Sequence, residues 1–525
     1  MSSTPESPNE GVFDLSEGEG TTASEKLLAR LCKKSFLSLW AYPNLHTDEG
    51  RKGGVVVADK EFTDVLIVFG NDVVLFSDKH VEFQHDKPIE VAWPRWFKRA
   101  VLRSADQLHG ALSWLKRFPE RVFIDAKCTR PLPIKAPPPT DARYHLIAVI
   151  RGSLHACKKR FPASLGTLQI RTDVVGEAHS ANPFTVGILD DTKPFVHVLD
   201  EFSLEVLLAE FDTAPDFIEY LTARERFLTD SVTKVAAAGE EQLAAAYLRN
   251  MDGETHWFLP PPKDQQVPSL LVFDESHFKG LRDTGEYKRK KKADARSYAW
   301  DKLIENFIRI GSPKVLHPDS QQPNEETEEA LRTIASEGRF RRRLLVESLG
   351  GLLTATLKRP NKPRARLLIT EQEPELVYVF LVVPKSADED YDSYRKRRIA
   401  MLHAYCRCAK LKAPAGNRFV GIAVDHPVKD YPGGSEDLMV YHCEDLPDQE
   451  REKLEKIRKE LGILGDDMQM EHVHADEFPA ERPDRQISDA SEISGGVQER
   501  REAHRRRKHK RDIVKASRRR NRRKK

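Results

Sequence analysis

Glu61-Phe-Thr-Asp-Val-Leu-Ile-Val-Phe-Gly-Asn-Asp-Val-Val-Leu-Phe-Ser-Asp-Lys79 is the stretch on which the reading of this chain turns. Val65–Phe69 and Val73–Phe76 are β-branched and aromatic runs, and Gly70-Asn71 between them is a favoured two-residue turn. Neither run alternates with polar residues, so both faces are expected to be buried, as in the centre of a mixed sheet. A two-residue loop pairs Phe69 with Asp72 and sets Asp64 opposite Ser77, so that Asp64, Ser77 and Lys79 share one face and Asp78 points to the other. A three-residue loop reverses this and brings Asp78 beside Asp64.

Working outward, Trp93-Pro94 opens a long segment, Trp96–Lys116, that carries Phe97, Val101, Leu108, Ala111, Leu112 and Leu115 at helical spacing. Pro119 closes it, and Arg121–Asp125 and Tyr144–Ile150 read as two further strands. A helix is expected to begin near Glu25.

This pattern resembles the PD-(D/E)xK nuclease superfamily, and within it the NERD-like branch, over roughly residues 23 to 155. The family sets an Asp at the start of one strand and a Glu-x-Lys at the end of the next, after a short helix that carries a Glu. The resemblance implies a restriction-endonuclease-like fold with Asp64 in the first position, Lys79 as the lysine and Glu25 as the helix acid. Ser77 stands where the second carboxylate is expected, and Asp78 lies one residue away. Gln107 resembles a glutamine that some members direct at the site; a solvent-facing glutamine is the plainer reading.

The implied chemistry uses Mg²⁺ or Mn²⁺ held by carboxylates, here Asp64 and Asp78, with Asp64, Lys79, Asp78, Glu25 and Gln107 as the catalytic set. Such an ion activates water and screens charge developing on phosphate, and a nearby lysine orients the nucleophile or stabilises the same charge. A hydroxyl at Ser77 holds Mg²⁺ poorly, so a second class of function stays open. That alternative is a catalytically inactive nuclease-fold protein serving as a nucleic-acid-binding or protein-interaction adaptor.

The fold class expected for the whole is α/β. An acidic leader, 1–22, is rich in Ser, Gly and Pro and lacks the apolar core of a signal peptide. The nuclease-like domain, 23–155, continues as α/β structure with helices through 156–262. Within that part Pro194–Asp200 reads as a strand, Ser203–Phe211 and Asp216–Asp230 as helices, and Ser231–Met251 as an alanine-rich helix. A mainly helical region, 263–363, contains the basic run Tyr287–Lys292, which reads more simply as a solvated helix start than as a phosphate contact, and a helical block, Glu325–Leu357, with Arg339–Arg343 in its middle. A second α/β unit, 364–465, has strands at Glu375–Val383, Arg418–Val424 and Leu438–Cys443, with helices at Tyr391–Lys412 and Asp448–Leu461. Arg395, Arg397, Arg398 and Tyr405 lie on a helix that could meet a ligand, but such residues more often form the exposed face of a helix covering a sheet. A linker and basic tail fill 466–525.

No stretch approaches the roughly 18 apolar residues of a membrane span, so membrane insertion is not expected. Six scattered cysteines fit a reducing, cytoplasmic setting. Cys406-Arg-Cys408 lacks the second pair that a zinc site needs, and His472-Val-His474-Ala-Asp476 reads as surface loop.

The C-terminus is the strongest electrostatic signal. Residues 500–525 carry 16 Lys or Arg against Glu502 and Asp512, a net +14; of the chain's 85 basic and 82 acidic residues, 69 and 80 remain elsewhere. An acidic body thus bears a basic arm. Arg505, Arg506, Arg507, Lys508, Lys510, Arg511, Arg518, Arg519, Arg520, Arg522 and Arg523 are its candidate nucleic-acid contacts, DNA or RNA. Releasing condensed counterions drives such binding without sequence preference. Association with the acidic body, anionic membrane or a nuclear address are competing readings. The arm has no core-forming pattern and is expected to be disordered when free.

Overall fold

The computed structural model describes residues 13–15, 18, 20–49, 51–52, 55–56, 60–252, 255–258, 269–310, 323–370, 372–427, 435–465, 468 and 477–479. The chain divides into a unit spanning Met1–Pro479 and a second spanning Ala480–Lys525. The basic arm and the His472–Asp476 segment lie outside the described residues.

The protein is mixed α/β, and the described residues form three sheets of four or more strands. The first sheet positions the candidate site. Its elements are α1 (Ala23–Trp40), β1 (Ala41–Thr47), β2 (Lys60–Phe69), β3 (Asp72–His80), α2 (Arg103–Arg117), β4 (Arg143–Arg151) and β5 (Val196–Asp200). Across the sheet the order is β5, β4, β3, β2, β1 and the short strand Val122–Phe123. The β2–β3 and β1–β2 pairs are antiparallel, whereas β4 runs parallel to both neighbours.

Phe69 pairs with Asp72 across Gly70-Asn71, the register of a two-residue loop, and Gly70 adopts a positive φ of 58°. Alternation then sends Val65, Ile67, Val74, Phe76, Ile147 and Val149 to one face, against Leu28, Cys32 and Phe36 of α1. Leu66, Val68, Val73, Leu75, Leu146 and Ala148 go to the other, against Leu108, Leu112 and Leu115 of α2. Burial on both faces is why neither run alternates in the sequence. Phe76 is fully enclosed, and truncating it to alanine is expected to cost about 3–5 kcal/mol.

The helical run before β4 starts earlier than expected, at Ile89, and continues through a five-residue π turn, Lys98–Leu102, into α2. Pro94 lies inside it rather than at its start, and the wider turn follows one turn later. Trp93 and Trp96 bury their rings and donate their indole N–H groups to the carbonyls of His179 and Val81, each at 2.7 Å. Arg121–Asp125 contributes only Val122–Phe123 as strand.

A second sheet orders Leu270–Phe273, Lys234–Ala237, Gln169–Val175 and Thr185–Ile188. The expected alanine-rich helix over 231–251 is therefore wrong in its first half. Lys234–Ala237 is a strand between two partners, and helix resumes only at Glu240–Arg249, past Gly239. Sheet pairing outweighs the modest helix preference of two alanines.

The third sheet, Arg364–Ile369, Leu376–Val382, Arg418–Val424 and Glu436–His442, is covered by Tyr391–Lys412. Its first strand was not expected from sequence. Arg398 is fully buried, bonded to Asp437 at 2.7 Å and paired with Asp425, which corrects its expected exposure. Arg339, Arg342 and Arg343 are likewise buried, in ion pairs with Asp212, Asp301 and Asp294. Among the described residues no helix is long and apolar enough to cross a membrane.

Candidate functional site

The recorded β2–β3 ladder runs from Phe69–Asp72 to Val65–Phe76, and Asp64 lies one step beyond. Its Oδ2 accepts the backbone N–H of Asp78 at 2.6 Å, so the carboxylate reaches across to β3. Nearby, the Thr63 hydroxyl donates to the Phe76 carbonyl at 2.5 Å. Glu25 arrives from the first turn of α1. Thr22 caps that helix by accepting the Glu25 N–H at 3.2 Å, and Glu25 Oε2 accepts the N–H groups of Thr21 at 2.8 Å and Thr22 at 3.2 Å. The capping box thereby fixes the position of the acid.

Glu25, Glu61 and Asp64 each present a carboxylate oxygen, all within 4.8 Å of one another. Glu61 was not singled out from sequence. Simple alternation places residues 61 and 64 on opposite faces, but β2 pairs Leu45 with Thr63 and His46 with Glu61, a bulge that inserts Phe62. The extra residue turns Glu61 to the side of Asp64. Burial pushes the Asp64 carboxyl up to about 7, against the Asp78 N–H that favours its ionised form, and the charges of Glu61, Glu25 and Asp78 raise it further.

Asp78 stands outside this triad. Its Oδ1 accepts from Arg151 Nε at 2.8 Å, and its side chain is fully enclosed. Burial raises its carboxyl, while Arg151 opposes the rise. Ser77 and Lys79 do share a face, for Ser77 Oγ and Lys79 Nζ both lie 3.4 Å from Gln107 Oε1. Gln107 thus turns toward the end of β3. Arg151, like Glu61, gave no signal in the sequence, because its role depends on β4 lying parallel beside β3.

An all-oxygen, carboxylate-rich donor set suits a hard divalent cation such as Mg²⁺ or Mn²⁺. Three converging acids, one of them buried and held partly protonated, form a group whose repulsion such an ion would relieve. Glu25 has one oxygen committed to the helix cap and the other available.

A second trio meets the same distance criterion: His145 of β4, His197 of β5, and Glu225 of α3 (Ala214–Thr229). His145 Nε2 lies 3.3 Å from Asp72 Oδ1, and its Nδ1 is buried without a partner. His197 Nε2 is also buried without a hydrogen bond, 3.8 Å from Glu225 Oε2. Arg224 Nη1 donates to His197 Nδ1 at 3.1 Å, while its Nε and Nη2 are held by Glu240 at 2.7 and 2.8 Å. A guanidinium has only protons to offer, so Nδ1 accepts and the proton of neutral His197 sits on Nε2. The nitrogen facing the other two residues is then a donor rather than a lone pair.

No family model, curated protein or solved structure matches the chain.

Proposed function

We propose that the protein is a divalent-cation-dependent phosphodiesterase acting on nucleic acid, with its basic arm holding the substrate. The observation that carries this reading is the convergence of Glu25, Glu61 and Asp64 at the start of β2; Ser77 and Lys79, at the end of β3, reach Gln107. The element order also supports it: the resemblance implies strand, strand, helix, strand, and β2, β3, α2 and β4 follow one another in that order along the chain.

In this reading Glu25, Glu61 and Asp64 hold Mg²⁺ or Mn²⁺, and Asp78 serves Arg151 instead. The bound ion supplies an activated water and screens charge on the phosphate. Lys79, oriented by Gln107, stabilises negative charge at the scissile phosphate. Arg151 keeps Asp78 neutralised, so that one fewer carboxylate repels the incoming polyanion. The arm gives affinity without sequence preference, and a cytoplasmic location fits the reduced cysteines.

One observation favours a second reading, an inactive binding protein. Ser77 brings a hydroxyl where the resemblance implies a carboxylate, and Glu25 is partly committed to its cap. Cleavage of single- and double-stranded DNA and RNA in Mg²⁺ or Mn²⁺ separates the two. The enzyme reading expects turnover that Asp64→Ala abolishes while binding persists. Binding with no turnover on any substrate leaves the adaptor. Deleting residues 500–525 should flatten the salt dependence; with roughly six to ten phosphate contacts, affinity of the intact chain falls about 10³- to 10⁵-fold between 50 and 200 mM salt.

A further inference from the structure

A cavity of about 430 Å³ opens far along the chain from the carboxylate triad, between the C-terminal end of Glu201–Glu210, the start of α3, the end of Glu240–Arg249 and the start of Arg339–Lys358. Its volume lies within the roughly 300–1,000 Å³ range of small-molecule sites. Phe211, Tyr247 and Phe340 supply aromatic wall, the first two packed edge to face with centroids 5.7 Å apart.

The charges on that wall are unevenly satisfied. Arg339 is bound through Nε to Asp212 at 2.7 Å and through Nη1 to Asp301 at 2.9 Å, and its Nη2 donates to the Asp212 carbonyl. Lys290 is paired with Asp294 at 2.8 Å and Glu477 at 3.1 Å, and Arg341 with Glu373 at 2.5 Å. Each wall cation is thus already engaged with carboxylates. On the acidic side Glu210 has Lys291, while Asp216 caps the helix at Arg339 by accepting its N–H at 2.8 Å. Glu219 differs. Its side chain is exposed, and among the described residues it meets no cation, only the Tyr247 hydroxyl.

We propose that this cavity binds a small organic cation, an ammonium or guanidinium carried on an apolar stem. The charged head lies on Glu219 and the stem lies against Phe211, Tyr247 and Phe340. The pairing follows from the ledger of charges: an anion would find each lining cation occupied, whereas a cation gains a carboxylate that has no cationic partner and the faces of aromatic rings. Surrounding protein and the neighbouring Asp216 charge push the Glu219 carboxyl up to about 7, and the Tyr247 hydroxyl opposes them. Binding a cation therefore expels a proton from it near neutral pH.

The experiment is calorimetry on the full chain with 2-phenylethylammonium, using 3-phenylpropionate as the charge-reversed probe. The ammonium is expected to bind one to one and at least about tenfold more tightly than the carboxylate. Glu219→Gln should weaken it roughly 10- to 100-fold, the worth of one charge-assisted hydrogen bond. At pH 7 the heats in phosphate and Tris should differ by the release of about half a proton per bound probe. Tyr247→Phe, which removes the hydroxyl favouring the ionised carboxyl, should raise that number; it serves as the test if Glu219→Gln does not fold. Equal or stronger binding of phenylpropionate, no binding of either probe up to roughly 10 mM, unchanged affinity in Glu219→Gln, or no change of proton release in Tyr247→Phe would each overturn the proposal.

Discussion

Two trios of side chains crowd together on the first sheet, and only one has the hydrogen-bonding state of a cation site. Glu25, Glu61 and Asp64 gather at the far end of the central hairpin, His145, His197 and Glu225 on the outer strands toward its turn, and both satisfy the same 4.8 Å limit. The first trio offers oxygens in excess of the donors around them, and the strain appears as a raised Asp64 carboxyl. The second has a ring nitrogen whose lone pair is replaced by a proton, because Arg224 occupies the opposite side of the ring. Proximity selects candidates, and the partners outside the trio decide which atoms have electrons to give.

The largest expected effect breaks the second trio. Arg224 and Glu240 are both about 2% exposed, so Arg224→Met leaves a buried carboxylate and should cost about 3–5 kcal/mol by denaturant unfolding. Glu225→Gln, at a side chain 39% exposed, should change stability by less than about 0.5 kcal/mol. The double variant Arg224→Met/Glu240→Met removes both charges and should recover most of the loss. It also frees His197 to carry its proton on Nδ1, so added Zn²⁺ should raise the melting temperature of the double variant and not that of the parent.

Next in size is the first trio's role in chemistry. Asp64→Asn should lower cleavage by about 10²- to 10³-fold or more while His197→Gln leaves cleavage within about twofold, measured under single-turnover conditions. Equal losses in both would erase the distinction between the trios. Cation binding gives a readout without substrate. Mn²⁺ at about 100 times its Kd should stabilise the parent by about 2.7 kcal/mol, and Asp64→Asn should abolish that gain.

The smallest effect sharpens the contrast with a carboxyl that has neither metal nor base to relieve it. Glu241 is fully buried, with Oε2 unpartnered, and burial raises its carboxyl to about 7. A folded-state pKa raised above the unfolded value makes the contribution most favourable below about pH 4.5 and progressively lost as pH rises through 7. Glu241→Gln should remove this slope, leaving the variant roughly 2 kcal/mol more stable relative to the parent at pH 8 than at pH 5. A parallel pair of stability curves would contradict the assignment.

The hairpin and its register were readable in the sequence because a Gly-Asn turn and two uninterrupted apolar runs leave one pairing with both faces buried. Tyr391–Lys412, Arg418–Val424 and Asp448–Leu461 fall at the expected bounds for similar reasons of period and length. Arg364–Ile369 escaped because an edge strand that is only half-buried carries polar residues and no clean alternation. Around the candidate site, Asp64, Lys79 and Gln107 had a motif to announce them. Glu61 needed a bulge at Phe62, and Glu219 needed a cavity assembled from segments remote in sequence. Those are products of tertiary structure, which no local spacing encodes.

The capping box at Thr22 and Glu25 makes the start of α1 a mechanical reporter. One carboxylate oxygen of Glu25 grips the backbone of Thr21 and Thr22, in a carboxylate that also lies within reach of Asp64 and Glu61. An ion that fixes this carboxylate also stiffens the first turn through the same rigid group, so fraying of the helix end becomes coupled to occupancy. Amide hydrogens of residues 22–26 should exchange more slowly when Mn²⁺ is added, and the protection should vanish in Glu25→Gln. The helix terminus would then register, as a local rate, whether a single carboxylate is in use.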